Sequence, residues 1–247
     1  MGRCKEIEIK VIPPPIANAF VRKHHYSGKV VPNSTLHFGA FLDGKLHGVL
    51  SYGNSIDKRK TMQLVEGTTW NGFLELNRMA FDDYLPRNSE SYCIGKTLRM
   101  IRKQAPHVKW VISFADGTQC GDGTIYRASN FLLTGIRKNT NILQNAQGDR
   151  TCNITITAHM TGNEQKKALQ EYKPMRGFQL RYVYFLDPKW RDRLKVPVLP
   201  FSVIDEMHAG MYKGQNVTQA ERHAKKSAAQ LEKETNEDAP DTSVMRT

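Results

Sequence analysis

No run of apolar residues approaches the ~20 that a membrane-crossing helix needs, so a membrane protein is not expected from these 247 residues. The four cysteines, Cys4, Cys93, Cys120 and Cys152, form no C-x-x-C pair. That spacing excludes a zinc knuckle and a disulfide framework, and leaves free thiols in a reducing compartment as the expectation. Behind the charges of Met1-Gly2-Arg3-Cys4-Lys5-Glu6 there is no apolar stretch, so no secretory signal is expected and the cytoplasm is the expected address. No internal repeat is present. Acidic residues are also in deficit, 24 against 36 Lys and Arg.

The resulting net charge is +12, and it is unevenly placed. Residues 216–247 hold five basic and six acidic residues, so the first 215 carry 31 against 18, a net of +13. The excess therefore belongs to the folded part and not to a basic tail. Such a field attracts phosphate backbones and says little about fold. Hydrophobic residues at 39% and charged residues at 24% suit a folded chain with a sizeable core.

Local pattern gives an order of elements. Residues 5–12 alternate apolar and polar and read as a strand ended by Pro13-Pro14-Pro15. Residues 16–25 read as a helix. The apolar runs 36–42 and 46–52 flank Asp43-Gly44, a hairpin signature. Residues 54–72 are polar and irregular. Residues 73–81 read as a strand, 89–104 as a helix with one apolar face that Pro106 stops, and 110–115 as a buried strand. A glycine-bearing loop over 117–123 leads to a short helix, Thr124 to Phe131. Residues 139–150 read as a loop, 151–159 as a strand, 164–172 as a helix and 178–186 as a strand. Residues 187–215 are irregular, and a peripheral helix is conceivable only over 217–235. A helix between the strands 73–81 and 110–115 implies one parallel crossover in a mixed sheet, hence an α/β (α+β mixed) fold flanked by helices.

Residues 90–97, Glu-Ser-Tyr-Cys-Ile-Gly-Lys-Thr, have the spacing of a phosphate-binding loop except that Glu90 stands where its first glycine belongs. An acidic side chain at that tight turn repels a triphosphate, so an NTPase is excluded. A strand-to-helix junction there still offers backbone N–H groups to an anion.

The strand 73–81, the turn 88–95, the strand 110–115 and the helix Thr124-Ile125-Tyr126-Arg127-Ala128-Ser129-Asn130-Phe131 together resemble the GNAT acyltransferase core, across roughly residues 36–137. That resemblance implies an acetyl-coenzyme A or related acyl donor, held by Ser91, Tyr92, Cys93, Ile94, Gly95 and Lys96. The turn departs from the GNAT signature, with Tyr92 ahead of Gly95 and Thr97 in place of a small residue. Four segments, His24-His25-Tyr26-Ser27, Leu76-Asn77-Arg78-Met79, Ser113-Phe114-Ala115-Asp116 and Gly123–Phe131, are similar to the Mom family of phage DNA-modification proteins, over about residues 18–186. The family resemblance implies a GNAT-like catalytic domain over 1–190 with a peripheral C-terminal extension over 191–247. It implies a transferase that converts adenine N6 in double-stranded DNA to N6-carbamoylmethyladenine, hiding phage DNA from restriction in the bacterial cytoplasm. An ordinary N-acetyltransferase and a non-catalytic DNA-binding protein on the same scaffold are the alternatives.

On that resemblance His25, Tyr26, Asp116 and Tyr126 are the catalytic candidates. Histidine is a ready acid or base near neutral pH, and Asp116 follows a buried strand, where active-site groups gather. The structural alternatives are a core tyrosine at 126 and a turn-capping aspartate at 116. Arg22, Lys23, Arg99, Arg102, Lys103, Arg137 and Lys138 are the candidates for phosphate contact. No metal is assigned from spacing. Iron is the alternative cofactor, with His24, His25, His37 and Asp116 as the set that could converge on it.

Overall fold

The computed structural model describes residues 3–118, 121–153, 156, 160–212, 215–216 and 221. Seven strands form one mixed sheet. They are β1 (Glu8–Val11), β2 (Ser34–Leu42), β3 (Lys45–Gly53), β4 (Phe73–Phe81), β5 (Trp110–Asp116), β6 (Leu132–Lys138) and β10 (Phe178–Phe185), in the spatial order β1-β2-β3-β4-β5-β10-β6. Every pairing in it is antiparallel except β4 with β5. That parallel pair is joined by α3 (Ser89–Gln104), as the helix between the two strand patterns predicts. A smaller sheet of β7 (Ile142–Asn145), β8 (Arg150–Cys152) and β9 (Tyr172–Pro174) lies beyond β6 in sequence.

Successive side chains on a strand point to opposite faces, and this sheet is covered on both. On β3, Leu50 and Tyr52 join the larger core beneath α3, with Cys93, Ile94, Leu98 and Ile101. Val49 points the other way and packs with Ala80, Ala17 and Val21 beneath α1 (Pro14–His24). We call these the α3 face and the α1 face. Farther along, Phe73, Trp110, Ile112 and Val183 continue the α1 face. On the α3 face, α4 (Thr124–Ala128) packs beside α3.

Several expectations are corrected. The first strand is shorter than 5–12, because residues 3–6 form a 3-10 turn held by Arg3 between Glu6 and Asp43. The irregular stretch 54–72 contains a one-turn helix, α2 (Lys58–Met62), whose N-terminus Asp57 caps by accepting from the Lys60 N–H at 3.1 Å. Residues 139–150 are no loop: β7 and β8 pair across a turn in which Gly148 takes a positive φ of 90°. Polar Gln and Asn side chains masked the pattern there, since a small edge sheet buries little on either face. The strand expected over 151–159 is seen only to Cys152, and 154–155 and 157–159 lie outside the described residues. The helix expected over 164–172 is α5 (Gly162–Gln170), started two residues earlier by a Thr161–Glu164 capping box.

The extension from 191 is not peripheral over its first part. The Leu199 N–H donates to Leu133 O at 2.8 Å, and Ile204 in α6 (Ser202–Glu206) and Ala209 are buried in the main core. The helix expected over 217–235 lies outside the described residues apart from residue 221. Among the described residues no helix is long and apolar enough to cross a membrane.

Gly53 shows how tightly β2 and β3 meet at one end of the sheet. A Cβ there would stand 2.0 Å from Asn33 O and 2.7 Å from the Ser34 Cα, both backbone atoms. Gly53→Ala should therefore force the two strands apart at a cost of about 1–3 kcal/mol, or a fall of several degrees in melting temperature at ~2–4 °C per kcal/mol. Gly162→Ala, with nothing within 4 Å of its Cβ, should leave the transition within about a degree of wild type. Thermal unfolding of the two variants checks this, and equal melting temperatures would contradict it.

Candidate active site

β4 and β5 pair at only three positions, Phe73 with Trp110, Leu74 with Val111 and Glu75 with Ile112. Beyond them β4 stays on β3 as far as Phe81, while β5 stays on β10 as far as Asp116. The two strands therefore part in mid-sheet. Ser113 Oγ donates to Leu76 O at 3.2 Å just past the last pair. The register between β3 and β4 shifts at the same level: Tyr52 opposes Leu76 and Ser51 opposes Arg78, so Asn77 is an extra residue, a β-bulge. Both features re-aim side chains at the mouth of the opening.

A polar cluster occupies the α1 face there. Glu75 alternates with Leu74 and Leu76, which belong to the α3 face, so its carboxylate points to the α1 face, where it is half-buried. Ser55 Oγ donates to its Oε2 at 2.5 Å, and Asn77 also hydrogen-bonds it. Burial pushes the Glu75 carboxyl above its usual pKa, against the pull of Ser55, Asn77 and the Arg78 charge. Arg78 is held by Lys29 O at 3.0 Å and its neighbour's Asn77 O at 2.9 Å. Burial lowers the Arg78 pKa, with Tyr26 and Glu75 acting in the opposite sense. In the row His37, Ser51 and Arg78 across β2, β3 and β4, His37 Nδ1 and Ser51 Oγ are 2.8 Å apart in the interior.

The first two catalytic candidates join this cluster. α1 ends at His24, and His25 caps it with its N–H on Val21 O. The next turn folds Ser27 back, so that its backbone N–H reaches His25 Nδ1 at 3.1 Å and its Oγ stands 2.8 Å from the same nitrogen. A backbone N–H can only donate, so Nδ1 is an acceptor and the neutral ring carries its proton on Nε2. Burial, then the positive charge of Arg78, lowers the His25 pKa to about 4. His25 is thus a neutral hydrogen-bond donor at physiological pH, where the unperturbed value suggested a group poised to titrate. The Tyr26 ring lies 4.3 Å from it and is 56% exposed.

The other two candidates stand elsewhere. Asp116 ends β5, and alternation with Ala115 points it to the α1 face. Its Oδ1 accepts from the Thr118 N–H at 3.0 Å and from Asn139 Nδ2 at 3.2 Å, so one oxygen caps the following turn. Tyr126 lies on α4, on the α3 face, with its ring 5.2 Å from Tyr182 and 5.5 Å from Phe131. The sheet separates it from His25 and Tyr26 except at the opening between β4 and β5.

The acyl-donor set is corrected. The turn expected over 88–95 is helix from Ser89 on, because Asn88 adopts a left-handed φ of 68° and starts α3 there. Only a helix's first turn leaves N–H groups for an anion, and the Tyr92 N–H already bonds Asn88 O. Cys93 and Ile94 are buried in the core, and Gly95 and Lys96 lie a turn or more inside. Of the six residues only Ser91 has its amide in the first turn, so this set does not form a pyrophosphate cradle. The structure does not gather the iron set: His24 stacks on Phe20, while His37 and His25 turn Nδ1 to Ser51 and Ser27. Among the described residues no three His, Cys, Asp or Glu side chains gather as metal ligands.

The phosphate candidates divide by face. Arg22 and Lys23 are exposed on α1, whereas Arg99, Arg102 and Lys103 are exposed on α3, across the sheet from the cluster. Arg137 and Lys138 are exposed at the end of β6. Sequence reading missed Glu75, Ser55 and the role of Arg78. The available signal was a glutamate between two leucines in a strand otherwise fit for the core.

A mixed sheet that parts at its single parallel pair, with a polar cluster at the mouth and a helix on each face, defines an α/β fold with a cleft in its sheet. The sequence profile of the Mom protein family matches residues 6–203. The methylcarbamoylase mom of Escherichia phage Mu is 37% identical over 195 residues, 77% of this chain and 80% of that protein. The chain belongs to the Mom protein family. Among solved structures, the ribosomal-protein-S18-alanine N-acetyltransferase from Escherichia coli aligns with a TM-score of 0.43 at 11% identity, covering 73% of this chain and 94% of that one. The polyamine N-acetyltransferase of Drosophila melanogaster aligns with a TM-score of 0.44 at 11% identity, covering 72% and 99%.

A histidine whose folded pKa lies below its unfolded ~6.5 favours the folded state above that value and loses the benefit as pH falls toward its folded pKa. Folded-state stability should thus decline between pH 6.5 and about 4, and His25→Asn should flatten that decline. A proton NMR titration should place the His25 ring transition near 4. A transition near 6.5 would remove the assignment of a neutral donor.

Proposed function

We propose that this chain modifies adenine in double-stranded DNA, converting the N6 amine to an N6-carbamoylmethyl group and so shielding phage DNA from restriction in the bacterial cytoplasm. The observation that supports it best is the cluster of Glu75, Arg78, His25 and Tyr26 beside the parted strands of a Mom-family chain. In this reading residues 1–190 are the catalytic domain and 191–247 an extension, whose packed part closes one end of the core.

The chemistry follows from the substrate. Adenine N6 is unreachable within the stack, so the base must be extruded. The exposed Tyr26 ring offers it a stacking surface. The N6 lone pair is delocalised into the ring, so a proton must leave as the new N–C bond forms, and a carboxylate is suited to take it. Glu75 and Asp116 share the α1 face. Burial makes Glu75 more basic than an ordinary carboxylate, while Asp116 has one oxygen committed to its turn. His25, neutral and protonated at Nε2, is suited to donate a hydrogen bond to a ring nitrogen or a developing negative charge. Acyl transfer from acetyl-coenzyme A alone would leave an N6-acetyl group. A carbamoylmethyl group is bonded through its methylene carbon and carries an amide nitrogen, so an acetyl-coenzyme A or related donor would have to be joined by a nitrogen source and a two-electron oxidant. The steps above belong to the acceptor side alone.

Nucleoside digestion and mass spectrometry of DNA from expressing cells tests the reading. Deoxyadenosine heavier by one carbamoylmethyl unit is expected, and unmodified DNA from cells with abundant folded protein would defeat it. Glu75→Gln and Asp116→Ala should each lower modification by at least tenfold while leaving the protein folded. Full modification by either variant would remove that residue from the chemistry.

Duplex DNA seated on the α1 face should be held by Arg22 and Lys23 and not by Arg102 and Lys103. Log K should fall with log[salt] at about −0.9 per phosphate contact. The Arg22→Ala/Lys23→Ala variant should make the slope shallower by roughly one to two units, and Arg102→Ala/Lys103→Ala should leave it unchanged. Fluorescence anisotropy over a salt series decides, and the reverse result would place DNA on the α3 face.

A further inference from the structure

Ile56 is 83% exposed and Trp70 is 53% exposed. Single exposed apolar side chains are ordinary. These two differ in what lies beneath them. Residues 54–58 connect β3 to α2, and both ends of this loop are pinned. Asn54 O accepts from Asn77 Nδ2 at 3.3 Å, and Ser55 Oγ donates to Glu75. Asp57 caps α2, and the Thr61 N–H bonds Asp57 O. Lys58 is buried. Its Nζ donates to Asn54 Oδ1 at 2.6 Å and stands 4.6 Å from the Trp70 ring centroid. Burial lowers the Lys58 pKa. Its ammonium thus ties Trp70 to the loop that carries Ile56. The exposed cations beside it are Arg59 and Lys60.

We propose that Ile56 and Trp70 form a wedge that enters the base stack of duplex DNA and occupies the space left by the extruded adenine. This rests on the reading of the chain as a DNA adenine-modifying enzyme. Extruding a base costs a few kcal/mol of stacking and pairing, and an apolar side chain inserted between base steps offsets it. A wedge must be rigid, apolar and adjacent to the pocket that receives the base. The 54–58 loop is pinned at both ends, carries Ile56 exposed, is linked to Trp70 through Lys58 and is rooted by Ser55 on the Glu75 carboxylate. Arg59 and Lys60 carry the charge that complements the flanking phosphates.

The test separates the wedge from the reaction. Duplexes carry 2-aminopurine, fluorescent when unstacked, at an adenine found modified in cells. One set has the normal pairing base opposite, the other an abasic site that removes the pairing cost. With wild type, fluorescence should rise severalfold on both. Ile56→Ala/Trp70→Ala should lose most of the rise on the paired duplex and retain it opposite the abasic site. Modification of cellular DNA by the variant should fall by about tenfold or more, with melting temperature unchanged. A variant that extrudes the paired base as well as wild type overturns the wedge. So does one that fails equally on both duplexes, since the defect then lies in the pocket or the fold. Wild-type protein that neither binds the duplexes nor modifies cellular DNA overturns the underlying reading as well.

Discussion

A parallel strand pair that stops pairing after three residues leaves backbone groups on both edges without ladder partners, and the rest of the molecule is arranged around that break. Buried N–H and C=O groups must find partners or water. At the break the solution is local: Ser113 reaches across to Leu76 O, and the bulge at Asn77 turns β4 while keeping it on β3. Each strand is steadied from its other side, β4 by the β2–β3 hairpin and β5 by β10. The opening survives because strong antiparallel pairing flanks it. Polar groups of the cluster gather at that opening.

That clustering sets the electrostatics. A carboxylate and a guanidinium share the mouth without forming a direct ion pair within 4 Å, each displaced by burial toward its neutral form. Arg78 spends two hydrogen bonds on backbone carbonyls, and Glu75 accepts from a hydroxyl and an amide. Neither charge is neutralised by the other, so both can still interact with a guest. The Arg78 charge also helps keep His25 neutral, and Ser27 fixes which nitrogen holds the proton. One half-buried cation thereby acts on two neighbouring groups whose shifts burial dominates.

Sequence reading reached the sheet and its crossover because hydrophobic alternation and the Asp43-Gly44 turn are local signals. Asp43 and Gly44 adopt the positive φ values such a hairpin needs. It failed at 139–150, where an edge sheet of polar residues carries no alternation, and at 191–209, where Ile204 and Ala209 are buried by contacts distant in sequence. His25 and Tyr26 were legible only through a family motif. Glu75 announced itself only as a glutamate between two leucines, since its environment depends on Ser55 and on a bulge that no periodicity announces. The helix expected over 89–104 is α3 as observed, so the cradle expected at 91–96 falls inside it. Asn88, in a left-handed conformation that asparagine tolerates, begins the helix well ahead of the glycine that drew attention.

The two faces of the sheet carry different chemistry, and this restricts how any large substrate approaches. Tyr126 lies on the α3 face among packed aromatics, with Tyr182 and Phe131 around it and the buried Tyr52–Thr97 hydroxyl pair nearby. Half-buried there, Tyr126 lies across the sheet from a duplex seated on the α1 face. His25, Tyr26, Glu75 and the pinned 54–58 loop lie on the α1 face, where Arg22, Lys23, Arg59 and Lys60 are exposed. A double helix is too wide to enter the opening between β4 and β5, so only a single extruded base could bring an acceptor atom to the level of Glu75. On the proposed reading, the duplex stays on one face and the small reactant lies within the sheet. On that reading, the basic charge excess, which lies in the part of the chain that builds those faces, would hold a duplex outside while one extruded base reaches in.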